Sequence, residues 1–384
     1  MNNKILIKGT LKPFNKVINI EGDKSLSIRW ALLASQSIGK STATNLLKSE
    51  DVLNTINCLK KLGVKISLFK NKCEIYGLGI NGYKYKKNIT INAQNSGTLG
   101  RLILGLLINT PFKIKLIGDK SLSKRDFTRV TKPLKKFGAN IISNSGKLPI
   151  IISGSNNPKP IKFFENKGSA QCKSSVMLAA LSTKGITKIK AKKSRNHTEL
   201  FFKHLKIPIK VIEKKKYDYI EVKNPKKIKN FNYKIPSDIS SSAFFIVLTL
   251  LSKNSEITIR NVNVNESRIG LIKILKMMNC KITFKNKKIY KGEKTADIFV
   301  KSSKILKPIN CPSSLNSSAI DEFLLIFLIA GAKTKGISTF KKLGELNKKE
   351  SPRLDIAIKF LRMIGVKVVR NKDDIKIYGK PKLD

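Results

Sequence analysis

Histidine, cysteine, aromatic residues and acid are all scarce in this chain, and long apolar runs are absent. The two histidines, His197 and His204, stand seven residues apart with no third ligand nearby. They read as a polar-face and a packing histidine rather than a metal pair, and no metal or cofactor is expected. The five cysteines, Cys58, Cys73, Cys172, Cys280 and Cys311, are scattered and odd in number, without metal-ligand spacing. They read as reduced thiols, and the expected location is cytoplasmic. The longest uncharged apolar run, near Phe323 to Ala332, is far too short to span a bilayer. Met1-Asn2-Asn3-Lys4 leads directly into a strand-like Ile5-Leu6-Ile7, with no secretory hydrophobic region. Aromatic residues make up 7%, and no stacking motif stands out among the basic residues.

Positive charge is what abounds. Lysine and arginine number 77 against 25 aspartates and glutamates, a formal net charge of +52. The lysines are spread along the whole chain and travel with abundant Ile and Asn, as a biased codon pool would give. A nucleic-acid binder would gather them in one tail or helix, so neither nucleic acid nor membrane is the expected partner; small anionic molecules fit the charge, although the charge does not demand them. At 41% hydrophobic the chain is no disordered polycation, and 384 residues suffice for two domains with substantial cores.

Two patterns recur. A helix rich in small and apolar residues, opened by Ser, Thr or Asp, is expected at Ser25–Ala34, Ser96–Ile108, Ser169–Leu181, Asp238–Leu251 and Ser318–Ala330. An amphipathic helix ending in a break before a strand is expected ahead of Gly63, Gly138 and Gly365, with weaker copies ahead of Ile207 and Asn279. Strands such as Val64–Leu68 and Phe112–Leu116 show period-two alternation. A period of roughly 75–85 residues means one supersecondary unit used repeatedly, and the alternation of helix and strand argues for an α/β or α+β fold with internal symmetry. Five copies of the small-residue helix are present, and a sixth would fall beyond Asp384.

The stretch Gly22-Asp23-Lys24-Ser25-Leu26-Ser27-Ile28-Arg29 turns a strand into a helix whose amide-rich, dipole-positive end favours an anion. Lys24 adds a point charge there. Arg29, one turn on from Ser25, adds a planar fork suited to phosphate or carboxylate. Asn95-Ser96-Gly97-Thr98-Leu99-Gly100-Arg101 opens the second such helix, with Gly97 allowing close backbone approach. Gly118–Arg125 is a Gly-led basic loop, and Ser169-Ala170-Gln171-Cys172-Lys173-Ser174 and Ser194-Arg195-Asn196-His197-Thr198-Glu199 open two more helices. Taken singly, each reads equally as an ordinary cap or a solvated turn. Asp321, ahead of a buried helix, has dipole stabilisation as a sufficient reason, and Glu350 with Arg353 could be a surface helix pair.

In order, these runs, together with Ile320-Asp321-Glu322 and Lys349-Glu350-Ser351-Pro352-Arg353, resemble the 5-enolpyruvylshikimate-3-phosphate synthase family from about residue 5 to the end. The resemblance implies two lobes of repeated βαβαββ units in a pseudo-threefold arrangement, closing on substrates, with the last unit incomplete. Residues 1–21 with 236–384 would form one lobe and 22–235 the other. It further implies enolpyruvyl transfer from phosphoenolpyruvate to the 5-hydroxyl of shikimate-3-phosphate by a monomer. Lys24, Ser25, Arg29, Ser169, Ala170, Gln171, Ser194, Asp321 and Lys349 would hold shikimate-3-phosphate. Lys24, Gly97, Arg125, Gln171 and Arg353 would hold phosphoenolpyruvate. Lys24, Asp321 and Glu350 would be catalytic, Asp321 accepting the hydroxyl proton and Glu350 serving protonation of the methylene carbon.

Three departures accompany the resemblance. Pro352 stands where the family usually has Asp, and Leu102 replaces a common Pro. The family's C-terminal Asp-His-Arg-Met stretch and late Lys are not found in this chain. The expectation is therefore a truncated, catalytically impaired form, with a relative that binds only shikimate-3-phosphate as the alternative. The UDP-N-acetylglucosamine enolpyruvyl transferases look instead for Lys-Asn-Ala at Lys24–Leu26 and for a Cys in the loop Gly118–Arg125, which has none.

Overall fold

The computed structural model describes residues 11–348 and 351–381. The strand expected at residues 5–7, and the site candidates Lys349 and Glu350, lie outside the described residues.

The elements repeat one order. β1 (Asn15–Ile18) is followed by α1 (Lys24–Ser35), β2 (Ile38–Thr44), α2 (Glu50–Lys61), β3 (Lys65–Leu68) and β4 (Lys72–Leu78). Next come β5 (Ile89–Asn92), α3 (Gly97–Leu106), β6 (Ile114–Ile117), a single turn α4 (Lys120–Ser123), α5 (Thr128–Lys136), β7 (Asn140–Asn144) and β8 (Lys147–Ser153). The third copy is β9 (Lys162–Glu165), α6 (Ala170–Ala179), β10 (Ile186–Lys192), α7 (His197–His204), β11 (Ile209–Glu213) and β12 (Tyr217–Lys223). The fourth is β13 (Asn232–Lys234), α8 (Ile239–Leu251), β14 (Glu256–Asn263), α9 (Gly270–Met277), β15 (Lys281–Tyr290) and β16 (Glu293–Lys301). The fifth comprises α10 (Phe323–Ala332), β17 (Gly336–Phe340), α11 (Arg353–Met363), β18 (Lys367–Asn371) and β19 (Asp374–Gly379).

The sheets obey a common rule. An edge strand runs parallel to its neighbour, and the other pairs are antiparallel. This gives β13-β2-β4-β3, β5-β6-β8-β7, β9-β10-β12-β11 and β1-β14-β16-β15. β17-β19-β18 has three strands, but Leu306 and Asn310 make single parallel bridges to Thr334 and Thr339, where the edge strand belongs. β1 and β13 each complete a sheet begun elsewhere in the chain, so the repeat is swapped at its edges. Alternation produces the strands: in β10, Thr187, Ile189 and Ala191 are buried while the residues between them are exposed.

The chain divides into two compact units. The larger is Glu21–Asp238 with Ile289–Lys294, and the smaller is Met1–Ile20, Ile239–Lys288 and Thr295–Asp384. The hairpin tip Ile289–Lys294 thus goes with the larger unit, although residues 236–384 were expected to stay together.

The expected helices form, for the expected reasons. Asp23, Ser96 and Ser169 cap α1, α3 and α6, each side chain accepting the N–H three residues on. The second helix of each copy stops at a residue of positive φ: Gly63 at +87°, Gly138 at +104° and Gly365 at +78°, with Lys206 and Asn279 serving in the weaker copies. One boundary differs. The helix expected from Ser318 starts at Phe323, because residues 316–322 are taken up by turns. α1, α3 and α6 leave no large apolar side chain exposed, whereas α8 leaves Phe244, Phe245 and Leu248 partly open.

α3 and α6 cross closely at Gly105, where an added Cβ would lie 2.2 Å from the Ser175 carbonyl oxygen. Backbone cannot yield as a flexible side chain does, so Gly105→Ala is expected to destabilise the chain by roughly 1–3 kcal/mol. A lowered urea midpoint with an unchanged m-value would register it. All five cysteines are unpaired and buried. Burial pushes Cys58 and Cys311 up to about 11 and Cys73 and Cys280 up to about 12, and also raises Cys172. A disulfide-exchange reagent at neutral pH should leave all five thiols unlabelled in the folded chain and label all five after denaturation.

Candidate active site

In the larger unit, three buried helices begin with hydroxyl or carboxylate caps, and basic side chains gather at those beginnings. At the first, Asp23 accepts the Leu26 N–H at 2.9 Å and the Lys24 N–H donates to Asp238 Oδ2 at 3.0 Å. The Lys24 ammonium is about half exposed and lies 3.6 Å from Asp51. Ser25 is half-buried in the first turn. Arg29, one turn deeper, is only 5% exposed. It donates from Nε to Thr198 Oγ1 (2.9 Å), from Nη1 to the Ser25 carbonyl (3.0 Å) and from Nη2 to Ser174 Oγ (3.3 Å). The two hydroxyls, Ser174 and Thr198, are 2.7 Å apart. Burial lowers the Arg29 pKa to about 10, opposed by the charge of Glu199, so the guanidinium stays charged at neutral pH. Beside it Lys173 and Glu199 form an ion pair at 2.6 Å, both almost wholly buried.

The second cluster joins α3 to α6 and the loop after α4. An added Cβ on Gly97 would lie 2.7 Å from Arg125 Nη1 and 2.8 Å from Arg101 Nη1, so both guanidiniums lie against this helix start. Arg101 donates to the Gly97 carbonyl (3.2 Å) and to Gln171 Oε1 (3.0 Å), and its guanidinium lies 4.8 Å from the Phe127 ring centroid. Gln171 Nε2 donates to Thr98 Oγ1 at 3.0 Å. Ser169 caps α6 and Ala170 begins it. The turn ahead is fixed by Glu165, which accepts from the Gly168 and Ser169 N–H groups and from Arg129. Ser194 Oγ is buried, with no hydrogen-bond partner among the described residues.

In the smaller unit, Asp321 lies in the turns before α10, two residues ahead of its start, and accepts from Arg353 Nη1 at 2.9 Å. Arg353 is the first residue of α11. Beneath them, Arg268 donates to Ser240 Oγ at 2.7 Å, and Ser240 bonds Glu322, which is 1% exposed.

The structure therefore brings Arg29, Ser25 and the α6–α7 hydroxyls together, gathers Gly97, Arg125 and Gln171, and pairs Asp321 with Arg353. Motif reading passed over Thr198, Ser174, Thr98 and Asp51 as partners. Thr198 and Ser174 stood inside quoted motifs, but their pairing with Arg29 depends on three helices meeting. The expected polar-face histidine is a correction: His197 is 1% exposed, with Nδ1 2.7 Å from Glu293 Oε1. His204 lies against Tyr233, with ring centroids 6.3 Å apart.

Capped helix beginnings with buried arginines one turn in form receptors for phosphate and carboxylate groups. Set on repeated βαβαββ units, they define a transferase of the enolpyruvyl type. The family model described as EPSP synthase (3-phosphoshikimate 1-carboxyvinyltransferase) matches residues 9–384, and the chain belongs to that family. It is 40% identical over 376 residues to the 3-phosphoshikimate 1-carboxyvinyltransferase of Ruthia magnifica subsp. Calyptogena magnifica, covering 97% of this chain and 85% of that one. It is 34% identical over 369 residues to that of Bacillus subtilis (strain 168), covering 95% and 84%. The solved EPSP synthase of Acinetobacter baumannii superposes with a TM-score of 0.85 at 34% identity, covering 96% of this chain and 83% of that one. The fold is the family's two-lobed α/β fold.

A methyl group at Gly97 must displace two guanidiniums. If Gly97 holds phosphoenolpyruvate, as the family resemblance implies, Gly97→Ala raises the KM for phosphoenolpyruvate roughly tenfold or more and leaves the affinity for shikimate-3-phosphate nearly unchanged. Steady-state kinetics with each substrate varied in turn would separate the two.

Proposed function

We propose that the residues gathered above carry the reaction of the family to which the chain belongs. The chain transfers the enolpyruvyl group of phosphoenolpyruvate to the 5-hydroxyl of shikimate-3-phosphate and releases phosphate, a step toward chorismate and the aromatic amino acids. The alternative of a relative that only binds shikimate-3-phosphate is not favoured, since the curated relatives quoted above are named for the whole reaction.

The proposed division of labour is the one that the family resemblance implies. Lys24, Ser25, Arg29, Ser169, Ala170, Gln171, Ser194, Asp321 and Lys349 hold shikimate-3-phosphate. Gly97, Arg125, Gln171, Arg353 and again Lys24 hold phosphoenolpyruvate. Asp321 takes the proton of the 5-hydroxyl as that oxygen bonds to C2 of phosphoenolpyruvate, while the methylene carbon gains a proton and becomes methyl. The tetrahedral ketal then loses a methyl proton and expels phosphate, restoring the double bond. Glu350 serves both carbon proton transfers. Cations at the helix beginnings stabilise charge on the phosphate and carboxylate groups throughout. The observation that carries this reading is the convergence of Arg101, Arg125 and Gln171 on the first turn at Gly97. We further infer a monomer working in the cytoplasm on these two anions, with no nucleic acid or membrane as partner. Five unpaired thiols agree with a reducing compartment.

Phosphate release measured with both substrates present tests the reading. Phosphate release that requires both substrates is expected, with Lys24→Ala and Asp321→Asn each lowering its rate by roughly 100-fold or more. Absence of phosphate release from the unaltered chain, or unchanged kcat in both variants, would overturn it.

A further inference from the structure

β15 and β16 belong to the sheet of the smaller unit, yet their tip, Ile289–Lys294, is part of the larger unit. The tip turns through Lys291 and Gly292, both with positive φ, and is gripped on several sides. The Lys234 N–H donates to the Tyr290 hydroxyl at 3.0 Å, the Tyr290 and Tyr233 rings meet at 5.5 Å, and Lys291 reaches the Asn232 carbonyl. Gly292 lies beside Leu200 of α7, where an added Cβ would come 3.4 Å from the Leu200 carbonyl oxygen. This grip places Glu293, 1% exposed, under the first residue of α7, where its Oε1 lies 2.7 Å from His197 Nδ1.

That first turn of α7 is a junction. His197 meets Glu293, Thr198 receives Arg29 and shares a hydrogen bond with Ser174, and Glu199 pairs with Lys173. Ser194 stands just ahead of it. The other ring nitrogen of His197, Nε2, is buried with no hydrogen-bond partner among the described residues. The ring's orientation therefore rests on Glu293. An unsatisfied buried N–H is costly, so with the acceptor removed the ring would turn and carry the helix start with it.

We infer that Glu293 is a positioning residue for shikimate-3-phosphate: acting through His197, it holds the start of α7 in register and so fixes the Arg29 guanidinium and the Ser194 hydroxyl. This rests on the assignment of those two residues to shikimate-3-phosphate. Glu293, 1% exposed, is assigned no contact with substrate.

The test is titration of shikimate-3-phosphate alone, followed by kinetics, on Glu293→Ala, Glu293→Asp and Glu293→Gln. Alanine removes the acceptor, and aspartate withdraws it by one methylene. Each should weaken shikimate-3-phosphate binding roughly tenfold or more, with the KM for phosphoenolpyruvate changed by much less. Glutamine keeps an oxygen that accepts the same N–H, so it should restore most of the affinity. If the alanine variant fails to fold, the aspartate and glutamine pair carries the comparison. Equal affinity across the three variants, or parallel losses in both substrates, would overturn the inference. Arg29→Ala serves as the control. If it leaves shikimate-3-phosphate binding intact, the site assignment itself has failed. If it weakens binding while Glu293→Ala does not, only the positioning role is lost.

Discussion

The burial of Arg29 is the constraint around which the larger unit is arranged. An arginine with 5% of its surface exposed must have most of its N–H groups satisfied from within. Here they go to Thr198 on α7, Ser174 on α6 and the Ser25 carbonyl on α1. One side chain thereby locks the beginnings of three helices to each other. The neighbouring Lys173–Glu199 pair meets the same demand, since either charge alone would be untenable at that depth. Fixed charge without freedom to relax suits a site that must stabilise anionic groups while they react.

The repeat supplies those helix beginnings cheaply in sequence terms. Each copy needs a capping residue, a small-residue helix that tolerates close neighbours, and a stop of positive φ before the next strand. Gly105 shows why small residues matter: α3 and α6 approach so closely that a single methyl would meet backbone. The same copies in the smaller unit place Asp321, in the turn ahead of α10, beside Arg353, the first residue of α11. One structural unit therefore positions both cation-rich receptors and a carboxylate. The chain's large excess of lysine reaches the surface mostly as solvated charge, whereas the buried cations are few and individually partnered.

The sequence alone determined the caps, the helix stops, the strand alternation and the period of the repeat, because each depends on residues within one turn or one strand of each other. It also placed the anion-binding motifs in order, which was enough for the family to be recognised. Tertiary structure decided the rest. The start of α10 moved because turns occupied the residues before it. His197 proved buried against Glu293, and the hairpin tip joined the larger unit. Arg29 proved buried, bonded to Thr198, Ser174 and the Ser25 carbonyl. These outcomes depend on groups up to 169 residues apart meeting, as Arg29 and Thr198 do, and no local pattern of hydrophobicity or charge records which distant oxygen will satisfy a buried donor.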